Sequence, residues 1–234
     1  MTRTPLAPLT ALAQAGRPFP DWSWFTSSQL ERIGDQLIQH TQLTVATILI
    51  GCALAIPLAV LAVRHRALYT PLLNITGILF TVPSAALFVL LLAYAGTGLS
   101  ATTSLIGLVI YTLLILFRNT VAGLDAVPRD VREAAEAMGY RPLARLVRVE
   151  FPLALPVVVA GIRIATVTTI GLVTITALIG QGGLGQLFVT GFQRRNATEI
   201  AAGLVLSVLL ALAADFLLLV AERRLTPWSQ ARGH

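Results

Sequence analysis

Lysine is absent from this chain of 234 residues: all 17 basic residues are arginine, which reads as compositional bias and assigns no function. Charge of either sign is scarce, 12% of residues, against roughly 25% in a soluble domain. With 56% hydrophobic residues and a mean hydropathy of +0.78, that scarcity argues against an ordinary soluble fold and for a polytopic membrane protein. There is a single cysteine, Cys52, inside an apolar run, so no intrachain disulfide can form and nothing marks a redox site. His40, His65 and His234 are far apart in sequence and lack ligand spacing, so no metal site is expected. The pI near 10.7 admits a nucleic-acid surface. Arginine gathered on the cytoplasmic side of a membrane protein explains it more simply, and no nucleic-acid partner is expected.

What the chain does have is long apolar runs. About 20 apolar residues span a bilayer as a helix. Leu43–Val63, Leu72–Tyr94 and the shorter Ser100–Phe117 carry no charge, while Leu153–Ile179 contains Arg163 and Ile200–Ala221 contains Asp215. The expectation is an all-α protein with five transmembrane helices. Arg64 and Arg66 follow the first run, Arg118 to Arg148 separate the third from the fourth, and Arg223, Arg224 and Arg232 follow the fifth. These loops alternate so as to share one side, the cytoplasm by the positive-inside rule, giving an N-out, C-in topology. Arg194 and Arg195, on the other side, are a modest exception. The chain then divides into an extracytoplasmic tail over residues 1–36, one transmembrane domain over 37–225 and a cytoplasmic tail over 226–234. Leu6–Ala15 is only mildly apolar and carries Pro8 and Thr10, behind Arg3 alone, so a cleaved leader is not expected. Trp22, Trp24 and Phe25 suit a tail lying on the outer interface.

Several residues within the spans are candidates for the pathway. Pro57 and Pro83 interrupt the first and second spans, and Thr81-Val82-Pro83-Ser84 supplies hydroxyls beside the second proline. Each site reads either as a packed kink or as a bend lining a water-filled path. The fourth span is rich in threonine, and Thr168 and Thr174 are its candidates for facing a path; most such hydroxyls return to their own helix backbone. Arg163 and Asp215 stand at similar depth, and a charge at mid-bilayer costs about 3 kcal/mol. They are expected to pair, with Arg118 as the alternative partner of Asp215. Gly180-Gln181-Gly182-Gly183-Leu184-Gly185 matches G-x-G-x-x-G in form, but it follows a transmembrane helix rather than a strand. It reads as a tight turn ending that helix.

The most informative polar stretch is Glu133–Pro152. Pro128 in the first turn and Val131, Ala134, Ala135 and Met138 along one face predict a helix over 127–138, which Gly139 stops. Arg129–Glu133 and Arg132–Glu136 have the spacing of helical ion pairs. Pro142 opens a second helix with Leu143, Leu146 and Val147 on one face, and Pro152 and Pro156 are expected to break or bend the chain at re-entry. The small Ala134 and Ala135 beside Glu133 suit a helix that sinks into a partner's groove. On physics alone, an amphipathic hairpin lying on membrane lipid fits equally well.

Glu133-Ala134-Ala135, three residues, Gly139, nine residues and Val149-x-Phe151-Pro152 resemble the EAA motif of binding-protein-dependent ABC importer permeases, with conservative departures at Val149 and Phe151. Ala160-Gly161-Ile162-Arg163, Ala177 to Gly185 and Glu222 to Pro227 resemble the osmoprotectant branch, which imports glycine betaine, carnitine, choline or similar quaternary amines. The likeness covers roughly residues 37–227. It implies that Glu133, Ala134, Ala135, Glu136, Met138, Gly139 and Pro152 couple the chain to cytoplasmic ATPase subunits. It also implies a second permease subunit, the same or a homologous chain, and an extracytoplasmic substrate-binding protein. ATP and Mg would sit on the ATPase, since no G-x-x-x-x-G-K-[ST] occurs here; no cofactor is expected on this chain, and it is not expected to be an enzyme. An importer permease for another small solute such as an amino acid is the alternative. A stand-alone carrier would favour several intramembrane acids, and a membrane enzyme would need a catalytic constellation that is not visible.

Overall fold

The computed structural model describes residues 19–230, and every regular element among them is helical. The leader question at Leu6–Ala15, and Arg3, Arg17, Arg232 and His234, lie outside the described residues. Thr26 opens the first helix, α1 (Ser27–Arg64), its hydroxyl accepting from the Gln29 amide at 3.4 Å. The Thr26-x-x-Gln29 spacing is that of a capping box. The 38 residues of α1 make a rod about 57 Å long, well beyond a hydrocarbon core of about 30 Å. The apolar run from Leu43 is only its inner part, and the helix runs unbroken across residue 36. Its polar N-terminal turns find partners: Arg32 bonds Glu199 at 2.8 Å and Thr190 at 2.8 Å, and His40 bonds the Ile170 carbonyl at 3.0 Å. Pro57 does not interrupt α1; it is exposed, turned away from the packed Ala55 and Ala59.

The second span differs most from expectation. A helical turn at Arg66–Leu68 leads into α2 (Tyr69–Thr81), which meets α3 (Ser84–Tyr94) at 94°. Loss of the Pro83 amide ends α2 instead of kinking it. The Val82 carbonyl freed by the break accepts from the Tyr111 hydroxyl of the next helix, α4 (Ala101–Asp125). Backbone irregularity inside a membrane needs such a partner. The Thr81 hydroxyl, by contrast, returns to Ile78 at 2.7 Å.

A short helix, α5 (Arg129–Ala137), is followed by α6, one helix over Pro142–Ile179. The second hairpin helix and the fourth span are therefore continuous. Pro152 and Pro156 neither break nor end it. Instead Leu146–Glu150 widens into a π turn, with the Phe151 amide reaching the Leu146 carbonyl just ahead of Pro152. At the far end Gly180, with φ of 78°, closes α6 with paired turn bonds from Gly180 to Ala177 and Gln181 to Thr176. A short helix α7 (Gly185–Gln193) leads to α8 (Ala197–Leu225), whose Asn196 cap accepts from the Thr198 and Glu199 amides, and a turn at Pro227–Gln230 follows. Four helices, α1, α4, α6 and α8, are long and apolar enough to cross a membrane, and α2 with α3 makes a fifth if the bent pair counts as one span.

α4 is the axis of the bundle. Its Leu116, Phe117 and Val121 pack on Ala55, Ala59 and Ala62 of α1 and Ala165 of α6. Gly51, Ala55 and Ala59, four apart, form the small-residue stripe that lets membrane helices approach closely. The glycine turn is packed as tightly. A Cβ at Gly185 would stand 2.3 Å from the Thr174 carbonyl oxygen. Gly185→Ala is expected to lower stability by about 1–3 kcal/mol, read as an earlier thermal unfolding of the purified protein in detergent. An unchanged midpoint would mean the turn yields.

Candidate functional site

α1, α4 and α8 run in one direction and α6 in the other, so the ends bearing Arg64, Asp125, Pro142 and Leu225 gather at one end of the bundle, where α5 and the start of α6 form a hairpin. Gly139, with φ of 84°, provides the reversal. Its amide bonds the Glu136 carbonyl and the Tyr140 amide bonds that of Ala135, a Schellman closure. Pro142 then occupies the first turn of α6, where its missing N–H costs nothing.

The arginines brace the hairpin. Arg145 pairs with Glu136 across the turn and with buried Glu150 at 2.6 Å. Residues five apart meet because the intervening turn is π rather than α, which is why ordinary helical spacing does not disclose the Arg145–Glu150 pair. Arg132 donates to the carbonyl of Leu124 at the end of α4, where the negative helix terminus favours a cation. Arg64 donates to the Pro142 carbonyl at 2.9 Å. Thus Arg132 and Glu136 do not pair with each other as their spacing suggested; each has a partner closer to its own side of the helix.

The expected apolar face also divides. Ala135 is buried against the bundle, whereas Glu133, Ala134 and Glu136 are exposed. Met138, Leu143 and Val147 are 69%, 67% and 60% exposed. The helix has only nine residues, and its inward face is chosen by α4 and α6, whose positions its own periodicity does not encode. The outward surface is thus a carboxylate and small alanine beside three uncovered apolar side chains. Pro152 is half-buried just past the π turn, away from that surface tip.

A second polar locus lies within the bundle. Arg163 grips Asp215 through two bonds, 3.0 and 3.1 Å, and Glu222 through a third at 3.0 Å. Asp215 and Glu222 are seven apart, two helical turns, so one face of α8 presents both; that spacing was the available signal for Glu222. A groove of about 430 Å³ beside the pair is lined by Ala160, Ile164, Val167 and Thr168 as well as Arg163 and Asp215. Thr174 lies elsewhere, its hydroxyl returned to Gly171 at 2.7 Å. Pro57, Thr81, Pro83 and Ser84 do not line this groove. Among the described residues no group of three or more His, Cys, Asp or Glu is arranged to hold a metal.

A bundle of long apolar helices with a braced polar hairpin at one end has the build of a multi-pass membrane protein. The chain belongs to the family described as binding-protein-dependent transport system inner membrane component, which matches residues 45–227. It is 38% identical over 192 residues to the osmoprotectant import permease protein OsmW of Salmonella typhimurium, covering 81% of this chain and 89% of that protein. It is 34% identical over 200 residues to the glycine betaine/carnitine/choline transport system permease protein OpuCD of Bacillus subtilis, covering 85% and 86%. A chain of the MetNI methionine ABC transporter, solved in inward-facing conformations, superposes with a TM-score of 0.77. It covers 86% of this chain and 100% of its own length at 24% identity, a likeness of fold. The protein is accordingly a permease component of an ABC importer in the cell membrane.

Proposed function

We propose that this chain forms half of the transmembrane pathway of an importer for a quaternary amine such as glycine betaine, choline or carnitine. The observation that carries the coupling half of this reading is the hairpin, which offers Glu133, Ala134 and Met138 outward while arginine bonds hold it rigidly to α1, α4 and α6. Glu133 to Gly139 act as a coupling helix seated in a cleft of a cytoplasmic ATPase subunit. This puts the hairpin end in the cytoplasm, in keeping with the arginines there. A second permease, the same or a homologous chain, completes the pathway, and an extracytoplasmic binding protein delivers the solute. ATP and Mg belong to the ATPase, which carries the hydrolysis. The solute class is supported by the relatives named above, an osmoprotectant import permease and a glycine betaine/carnitine/choline permease.

The test is reconstitution in proteoliposomes with the ATPase and binding protein. Uptake of labelled glycine betaine, choline or carnitine should require ATP and every subunit. A panel in which an amino acid competes and no quaternary amine does would overturn the solute class while leaving the importer reading intact.

A further inference from the structure

The arginines that brace the hairpin also enclose a cavity of about 290 Å³ between it and the ends of α1 and α4. Arg64, Arg132, Arg145 and Glu150 line it, with Leu124 and Pro142. Arg145 is matched by two carboxylates, Glu136 and Glu150. Arg64 and Arg132 are tied only to main-chain carbonyls, those of Pro142 and Leu124, and among the described residues neither forms an ion pair. Arg132 in addition keeps a buried Nε with no hydrogen-bond partner.

Arginine placed on the cytoplasmic side to satisfy insertion can remain in open solvent. Here the half-buried Arg132 and the exposed Arg64, both permanently charged, line one partly enclosed space whose only acid, Glu150, is already bonded to Arg145. A withdrawn charge is costly unless a counter-charge and hydrogen bonds meet it, and guanidinium forks match phosphate oxygens geometrically.

We propose that this cavity is an oxyanion site, taking a phosphate or phosphodiester group between Arg64 and Arg132. The ligand contacts the end of α1 through Arg64 and the hairpin through Arg132, so it ties the hairpin to the bundle at the point where movement has to pass between them. The same chemistry is presented by free phosphate and by a phospholipid headgroup, for which basic pockets between membrane helices are suited.

The full chain, assembled with its partner subunits in dodecyl maltoside, is titrated with inorganic phosphate at constant ionic strength set by chloride, and separately with phosphatidylglycerol in mixed micelles. Thermal unfolding is the readout. A saturable rise in midpoint with phosphate assigns a site open to the free ion. A rise with phosphatidylglycerol alone assigns the headgroup. Either supports the proposal if Arg64→Gln raises the half-saturating concentration by about tenfold, the factor expected for one charge-assisted hydrogen bond. Arg132→Gln should act alike, but it also removes the cap on Leu124, so Arg64→Gln decides if the ligand-free midpoint of Arg132→Gln falls. No rise with either probe beyond that of chloride, or equal binding by Arg64→Gln, overturns the site.

Discussion

Glu133→Arg is expected to reduce ATP-driven uptake by about 100-fold, with the ATPase subunits lost from the purified complex. The factor corresponds to about 2.7 kcal/mol of docking free energy, the scale of a hot spot at a protein interface. The substitution is informative because Glu133 is exposed and takes part in no ion pair among the described residues. Nothing in the fold depends on it, so the thermal midpoint of the permease should move by no more than about 0.5 kcal/mol equivalent. Its neighbour Glu136 would be a poorer probe, since it holds Arg145 across the turn. Met138→Asp tests the same surface from its apolar side and should likewise spare folding, because the side chain is uncovered. Full uptake by Glu133→Arg in a complex that still retains its ATPase would end the coupling role.

Arg163→Gln is expected to destabilise the bundle by about 2 kcal/mol, seen as lower yield and earlier thermal unfolding. The substitution strands two carboxylates, Asp215 and Glu222, beside a membrane helix. Removing one partner costs roughly 3–5 kcal/mol in a buried ion pair and about 1 kcal/mol or less in an exposed one; Arg163 and Asp215, with side chains 24% and 38% exposed, fall between. Adding Asp215→Asn to Arg163→Gln should recover part of the loss, since one stranded charge is then removed. Asp215→Asn alone should cost less, because Arg163 keeps Glu222 at 3.0 Å. A wild-type midpoint for Arg163→Gln would show that water, not protein, balances these charges.

The sequence reading succeeded where a single segment carries its own instruction. Uncharged apolar runs mark the helices that can cross a membrane, because the cost of exposing a charge to lipid is paid residue by residue. Pro142 and Gly139 mark the two sides of the hairpin turn, one by supplying no amide and the other by accepting a positive φ. Gly180 announces the end of α6 in the same way. Depth narrowed the partner of Asp215 to Arg163 or Arg118, and the fold selects Arg163.

Where a residue's consequence depends on its neighbours, the sequence stopped short. Pro83 declares a missing donor, but a packed kink and the observed 94° turn satisfy that statement equally; Tyr111 accommodates the second by bonding Val82, 29 residues before it. The N-terminal turns of α1 look too polar to continue a span, and they do continue because Glu199, Thr190 and Ile170 lie ready as partners. The register of Glu133, Ala134, Ala135 and Gly139 identified the hairpin without a structure, yet not which alanine would be buried. By itself the sequence determined a multi-pass helical membrane protein with a polar hairpin at its arginine-rich end, since hydrophobicity, proline and glycine act locally. Only the tertiary structure decided that Ala135 faces inward, that Met138, Leu143 and Val147 face out, and that Arg64 and Arg132 share one cavity. Each of those outcomes is set by atoms distant in the chain, through packing and hydrogen bonds that no local pattern contains.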